Sequence, residues 1–412
     1  MQRRPLREIS HLRTVLQLHR YNVFCHFSLL SEDVPYADVP KPSHRCERKP
    51  YPTPMKVLIR RAKEEKKARR ENPCQILDPP NNGLLVPELI EVAHEVNRAR
   101  ELMLDGLKKL IDVVVPVKRC RFCAEVHVGN CGHAIRTCTG PKSGFRNATH
   151  VWRNGGIEDV VYFPYCYHLC DRVGKPRIGH KERFRVKRLP AVLELCIQAG
   201  LDLEDYPTKR RTRPVYAIDG RIMDFEIEQE ERDMEQELPA ELDGKTRIIG
   251  EPDGKTRIID EPDGKTRIIG ENGLSSTELS VTTLQSWLQM REATDMLMKR
   301  YSVLTCGYCP EIQVGPKGHK VRMCKAAKHQ FRKGLHAWQE ATLDDLIVPN
   351  YVWHVRDPKG PPLANELKRY YGKAPAIVEF CVQAGAPIPK EYKSMMRLDV
   401  VPPQRDEIDL VA

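Results

Sequence analysis

The sequence predicts an α+β fold of two small metal-stabilised repeats joined by a disordered linker. Each repeat is expected to run as a helix, a metal-ligand loop, short strands and a closing helix. Three observations predict this. The pattern C-x2-C-x9-H-x4-C occurs at Cys120, Cys123, His133 and Cys138, and again at Cys306, Cys309, His319 and Cys324, every member displaced by 186 positions. An apolar segment, Pro190 to Gly200, returns as Pro375 to Gly385 at an offset of 185. Between the copies lie a basic run, an acidic stretch that reads as disordered or loosely helical, and tandem units whose Asp-Gly turns and short β-prone runs could form hairpins within a tolerant linker.

Bulk composition sets the bounds. A chain of 412 residues has room for two or three domains. Its apolar fraction of 41% allows a modest core, in which metal cross-links would add useful stability. A net charge of +11 points to a polyanionic partner, most often nucleic acid. The 14 cysteines include C-x2-C pairs and follow no secretory leader, so they suit reduced thiols that bind metal rather than disulfides. No run of about 18 apolar residues is present, so no membrane span is expected.

In chain order, residues 1–30 read as a transit peptide. Arg3, Arg4, Arg7, Arg13 and Arg20 face one acid, Glu8, and Leu6, Ile9, Leu12, Val15, Leu16 and Leu18 give a helical apolar face. Sparse serine favours the mitochondrion, with the chloroplast as alternative. Residues 31–83 form a basic segment with a helix from Lys56 to Arg70; twelve Lys or Arg against four Glu across 41–74 suit either a solvated helix or an RNA contact. The first repeat spans 84–206. It opens with an amphipathic helix over Leu89–Val113, whose Val92, Val96, Leu102, Leu107, Leu110 and Ile111 recur at helical spacing. The linker, 207–275, carries the basic run 209–213, an acidic stretch over 223–242 and three copies of Asp-Gly-Lys-Thr-Arg-Ile-Ile at 243–249, 253–259 and 263–269. The second repeat, 276–394, opens with a helix over Leu284–Leu304, and 395–412 is a tail. Both closing helices have proline at the start and glycine just past the end; Cys196 and Cys381 within them read as small core residues.

The repeats separate shared residues from unshared ones. Cys120/Cys306, Cys123/Cys309, His133/His319, Cys138/Cys324, His150/His336 and His168/His354 recur, whereas His127, Cys131, Cys166 and Cys170 do not. Three thiolates and an imidazole satisfy tetrahedral zinc, giving two zinc ions per chain. The fourth ligand is His133 and His319, with His150 and His336 as alternatives. A 4Fe-4S cluster is the competing cofactor, but it normally takes four thiolates. The loop is similar to a zinc knuckle with a longer insert, and knuckles bind single-stranded RNA. Candidate phosphate contacts are Arg136 and Arg146 in the first copy, and Lys320, Arg322, Lys325, Lys328 and Arg332 in the second. Arg183-Phe184-Arg185-Val186-Lys187 alternates as a strand would, setting Arg183, Arg185 and Lys187 on one face. Trp152 and Trp338 suit a core role better than base stacking. No P-loop, dinucleotide fingerprint or nucleophile elbow occurs, so neither catalysis nor a small-molecule substrate is expected.

Several strings resemble the plant APO (accumulation of photosystem one) family. They are Leu84-Leu85-Val86-Pro87, Glu125 to Gly129, Gly132-His133, His150-Val151-Trp152 and Leu193 to Gly200 in the first copy. In the second they are Val314 to His319 and Tyr371 to Ala376. The N-terminus and the ending Met395 to Val401 most resemble the mitochondrially targeted member. The resemblance implies organellar RNA-binding repeats that depend on zinc, with ligands at Cys120, Cys123, His133 and Cys138 and at Cys306, Cys309, His319 and Cys324. It further implies a role in group II intron splicing or transcript maturation, beside other organellar splicing factors. An alternative role implied by the family is stable assembly of complexes that carry 4Fe-4S clusters.

Overall fold

The computed structural model describes residues 55–403 apart from 72–73, 112, 219–220, 225–274 and 326–332, together with Glu407. The transit segment, the Asp-Gly-Lys-Thr-Arg-Ile-Ile units and the candidates Lys328 and Arg332 lie outside the described residues. Helix α1 (Met55–Glu71) is charged and largely exposed, and strand β1 (Cys74–Ile76) follows it.

The first repeat runs α2 (Pro87–Leu110), β2 (Val117–Cys120), β3 (Val126–Val128), β4 (Trp152–Asn154), α3 (Ile157–Val160), β5 (Val161–Tyr162), β6 (Tyr165–Tyr167), β7 (Arg188–Pro190) and α4 (Ala191–Ala199). Strands β8 (Tyr216–Ile218) and β9 (Arg221–Met223) come next. The second repeat copies the first member by member: α5 (Ser276–Met298), β10 (Val303–Cys306), β11 (Ile312–Val314), β12 (Trp338–Glu340), α6 (Leu343–Leu346), β13 (Val348–Pro349), β14 (Tyr351–Trp353), β15 (Lys373–Pro375) and α7 (Ala376–Gln383). The expected α+β repeat is present twice.

Local chemistry sets the element ends. Pro87 occupies the first helical turn of α2, where its missing N–H is harmless. Ser275 caps α5: its Oγ accepts from the Glu278 amide at 3.2 Å, and Glu278 accepts from the Ser275 amide at 2.8 Å. That cap starts α5 eight residues earlier than its apolar periodicity predicts. At the end of α4 the chain turns through Gly200 at φ 130, a conformation that favours glycine.

The repeats are interlocked rather than strung as beads. One core takes Leu107, Val117 and Leu195 from the first and Trp287, Val314 and Phe380 from the second. Helices α2 and α5 pack along each other. At their closest approach a Cβ on Gly106 would sit 1.9 Å from Thr283 Oγ1, so only glycine fits there. Three-stranded antiparallel sheets β3-β2-β4 and β11-β10-β12 stay within their own repeats, but β5 pairs with β13 across them. In that pairing Tyr162 faces Val348, its own counterpart at an offset of 186. A residue opposite its own equivalent lies on a two-fold axis, so the chain is a fused pseudo-dimer with a self-complementary interface.

Buried polar groups repeat the same logic. Glu194 is fully buried in α4. It accepts from the Leu169 amide at 3.0 Å and from Gln198 at 2.8 Å, and meets His168 Nδ1 at 2.8 Å. Gln198 then reaches into the second repeat and donates to the Val314 carbonyl at 3.1 Å. The mirror set is Glu379 with Val355, Gln383 and His354 at 3.0, 2.7 and 2.7 Å, and Gln383 donates to the Val128 carbonyl of the first repeat at 3.0 Å. The recurring His168 and His354 are therefore structural partners of buried carboxylates. Cys196 and Cys381 are fully buried core residues.

Part of the segment counted with the linker is structured. Strand β8 pairs with β1 and with β9, forming a small sheet over the flank of the first repeat. Arg211, with its side chain buried, ties that flank down through Asp171 at 2.7 Å and Asp224 at 2.8 Å.

Two outcomes follow from this architecture. Cleavage within residues 243–269 should leave the two halves co-migrating by size exclusion at micromolar concentration; their separation would contradict a shared core. The His168–Glu194 pair should also make stability pH-dependent. Burial works against charge on His168, but Glu194 outweighs it and raises the His168 pKa. Its contribution is then complete below the unfolded value of about 6.5 and fades as pH rises through the folded value. His168→Gln should therefore lower the melting temperature more at pH 6 than at pH 8.5.

Candidate metal centres

Each centre is assembled by a small sheet. Strand β2 delivers Cys120, and the chain turns at once so that the Phe122 amide donates to Cys120 Sγ at 3.4 Å. The Cys120 amide then donates to the Glu125 carbonyl at 2.9 Å, closing the turn that carries Cys123. On the other edge β4 pairs with β2, with Trp152 opposite Cys120. That register sets His150, two residues upstream, above the cysteine pair. The Cys138 amide donates to the Ala148 carbonyl at 3.0 Å and brings in the third sulfur. The second repeat repeats each step: Tyr308 to Cys306 Sγ at 3.5 Å, Cys306 to the Glu311 carbonyl at 2.9 Å, and Trp338 opposite Cys306.

The result is two groups of four, Cys120, Cys123, Cys138, His150 and Cys306, Cys309, Cys324, His336, in each of which the donor atoms lie within 4.8 Å of one another. Tetrahedral bonds of about 2.3 Å to sulfur place donors about 3.8 Å apart, so both sets fit a four-coordinate ion. His150 Nδ1 lies 3.4 Å from Cys123 Sγ, and His336 Nδ1 lies 3.2 Å from Cys309 Sγ. Thr137 Oγ1 meets His150 Nε2 at 3.0 Å and orients the ring.

The histidine grouped with the three sulfurs thus differs from the sequence expectation. His150 and His336, the alternatives, sit with the sulfurs; His133 and His319 do not. In the second repeat the reason is plain. His319 Nδ1 accepts from the Val321 amide at 3.1 Å, and its Nε2 faces Glu311 at 3.3 Å, so both nitrogens are engaged. His133 Nε2 faces Glu125 at 3.6 Å, and its ring packs edge-on against His150 at 5.0 Å. Trp152 and Trp338 are half-buried struts, not stacking platforms. Their Nε1 atoms donate to the His133 and His319 carbonyls at 3.3 and 3.1 Å. Their rings also lie against Gly132 and Gly318, where a Cβ would come within 2.1 and 2.3 Å. The G-H dipeptide therefore gives the tryptophan room and positions a histidine behind the ligands. His150 and His336 recur just as faithfully in sequence, but only the β2–β4 register singles them out.

Electrostatics favour a bound cation. Burial pushes the Cys123 thiol up to about 12, while backbone amides overcome burial and lower Cys120. In the second repeat a hydrogen bond from Cys309 pulls Cys306 down to about 3 and raises Cys309. A divalent ion is what lets all three sulfurs ionise together. Burial, then His133, press His150 down to about 4, leaving a neutral imidazole with a lone pair to donate.

Each centre is also braced by the other repeat. The Ala134 amide donates to the Leu363 carbonyl at 2.9 Å and the Arg136 amide to Asn365 Oδ1 at 2.9 Å. The mirror contacts are Lys320 to the Ile178 carbonyl at 2.8 Å and Arg322 to His180 Nδ1 at 3.1 Å. Behind the ligands, Glu125 accepts from Trp353 Nε1 at 3.2 Å and faces Lys373 at 3.8 Å, both from the second repeat. Glu311 meets Arg188 of the first at 2.8 Å.

The predicted cations divide. Arg136, Lys320, Arg322 and Lys325 are exposed beside the loops. Arg146 lies over the Phe122 ring at 4.0 Å and donates towards Cys138 Sγ at 3.6 Å. The strand expected over 183–187 is not formed. Lys181–Phe184 is a 3-10 turn and β7 begins at Arg188, so the alternation does not apply and Phe184 is 81% exposed. Arg185 and Lys187 are exposed, and Lys187 donates to the Asp205 carbonyl at 2.9 Å.

The family model described as APO RNA-binding matches residues 26–224 and 265–403. The chain is 60% identical over 384 residues to APO protein 3, mitochondrial, of Arabidopsis thaliana, covering 92% of this chain and 90% of that one. It is 43% identical over 375 residues to APO protein 2, chloroplastic, of the same plant, covering 91% and 81%. It is 41% identical over 378 residues to APO protein 1, chloroplastic, covering 91% and 83%. No solved structure matches the chain.

Metal content per purified chain separates the two histidine assignments. His150→Ala should lower the metal content from two ions to one, whereas His133→Gln should retain two with affinity weakened about 10- to 100-fold. The reverse pattern would restore His133 as the ligand.

Proposed function

The chain belongs to the APO RNA-binding family and is mitochondrial, and on that premise we propose that it binds intron-containing transcripts and promotes group II intron splicing or transcript maturation for respiratory-chain subunits. The observation that carries this reading is the pair of Cys3His loops, each flanked by exposed cations and fixed against the opposite repeat. Zinc is the ion the donor set suits: three sulfurs and a nitrogen within 4.8 Å of one another, partly buried in the fold. A 4Fe-4S cluster would ask for a fourth thiolate, and Cys131 stands outside the first group. Zinc would act as a structural cross-link, holding Cys120, Cys123, Cys138 and His150 in one loop and their counterparts in the other. The protein then works by holding RNA for other organellar splicing factors, without a chemical step of its own. No helix among the described residues is long and apolar enough to cross a membrane.

Chelation of the metal should abolish RNA binding by the purified protein, and added zinc should restore it. In plants lacking the protein, sequencing of mitochondrial transcripts should show retained introns. Loss of cluster-containing complexes with every intron correctly removed would overturn the splicing role in favour of complex assembly.

A further inference from the structure

The two-fold arrangement creates two equivalent junctions, each joining the metal loop of one repeat to the segment before the closing strand of the other. They are alike in backbone and unlike in charge. At the first junction the 3-10 turn Lys181–Phe184 lies beside the metal loop of the second repeat, held there by His180 Nδ1 and the Arg322 amide at 3.1 Å and by the Ile178 carbonyl and Lys320 amide at 2.8 Å. Lys181, Arg183 and Arg185 on or beside the turn and Lys320, Arg322 and Lys325 on the loop border it, and the one acid of the turn, Glu182, pairs with Lys175 at 2.7 Å. None of these six side chains meets a carboxylate among the described residues. At the mirror junction Glu366 replaces Lys181, Tyr370 replaces Arg185, Ala134 replaces Lys320 and Thr139 replaces Lys325, leaving Lys368 and Arg136 as the matching cations. Arg369 stands in the place of Phe184 and lies over the neighbouring Tyr370 ring at 4.9 Å, but that ring is half-buried whereas Phe184 is open to solvent.

Phe184 is the second observation. A phenylalanine left 81% exposed would ordinarily be a liability. Here Arg183 covers one face of the ring at 3.9 Å from its centroid. An exposed arginine–aromatic pair amid cations without carboxylate partners is an arrangement on which a base stacks while its phosphates are neutralised. A duplex offers no free base face, so the fit is to a single strand.

We propose that this first junction, built from both repeats, is the single-stranded RNA track, with Phe184 as the stacking platform and Arg185, Lys320, Arg322 and Lys325 as phosphate contacts. This rests on the RNA-binding reading above and assigns it to one face. Neither repeat alone carries the track.

The test uses the full zinc-loaded chain and an unstructured RNA oligonucleotide across a salt series. Phe184→Ala should weaken binding about tenfold, and Phe184→Trp should preserve it. Arg185→Glu with Arg322→Glu should weaken binding and flatten the salt slope by about 0.7 for each phosphate that is no longer neutralised. The mirror pair, Lys368→Glu with Arg369→Glu, should change affinity less than about twofold, since the track leaves that face out. Equal weakening by both pairs, or undiminished binding by Phe184→Ala, would overturn the assignment while leaving RNA binding intact. Failure of the unaltered protein to bind RNA at low salt would instead overturn the functional reading on which the track depends.

Discussion

The structure depends on an exchange of hydrogen bonds between halves of one chain. Each metal loop lends two backbone amides to the opposite repeat, and each closing helix sends a glutamine to a carbonyl of the opposite sheet. The two glutamine amides are buried or part-buried, and a buried polar group without a partner costs about 1–3 kcal/mol. A repeat pulled from its mate would strand all of them together with the apolar faces of α2 and α5. The interface is therefore part of each repeat's own fold, as in an obligate dimer.

The metal centres inherit that dependence. Glu125 and Glu311 sit behind the ligand shells, and each is balanced by a histidine of its own repeat and a cation of the other. Burial works against the Glu125 charge, but His133 and Lys373 hold its pKa below the ordinary carboxylate range. A carboxylate that stays ionised there orients His133 against the ligand His150. The position of a ligand in one half is thus fixed partly by side chains from the other, much as outer-shell groups tune metal sites generally.

Much of this was legible in sequence and some was not. The cysteine spacing and the constant offset reveal the repeat, because ligand geometry tolerates little variation. The proline and glycine at the closing helices mark their ends for equally local reasons. The choice between His133 and His150 was not legible: both recur, and only strand register tells which ring lies over the sulfurs. The stretch 183–187 misleads because alternation of cations and apolar residues suits a strand, yet the contact between His180 and Arg322 bends it into a tight turn. Contacts between segments 142 residues apart leave no periodic trace. The interlocked arrangement is hidden for the same reason: each repeat reads as a self-contained module until its glutamine is seen to end in the other one.

The pairing of Tyr162 with its own equivalent has a wider meaning. Two separate copies of one repeat, meeting on that axis, would present the same side chains at both junctions. Any gain in charge on one side would be mirrored on the other. Joining the copies in a single polypeptide frees the two sides to drift apart, and they have: lysine at position 181 corresponds to glutamate at 366, and phenylalanine at 184 to arginine at 369. Covalent fusion thus gives a symmetric scaffold a front and a back, and hence a direction in which a strand can be laid across it.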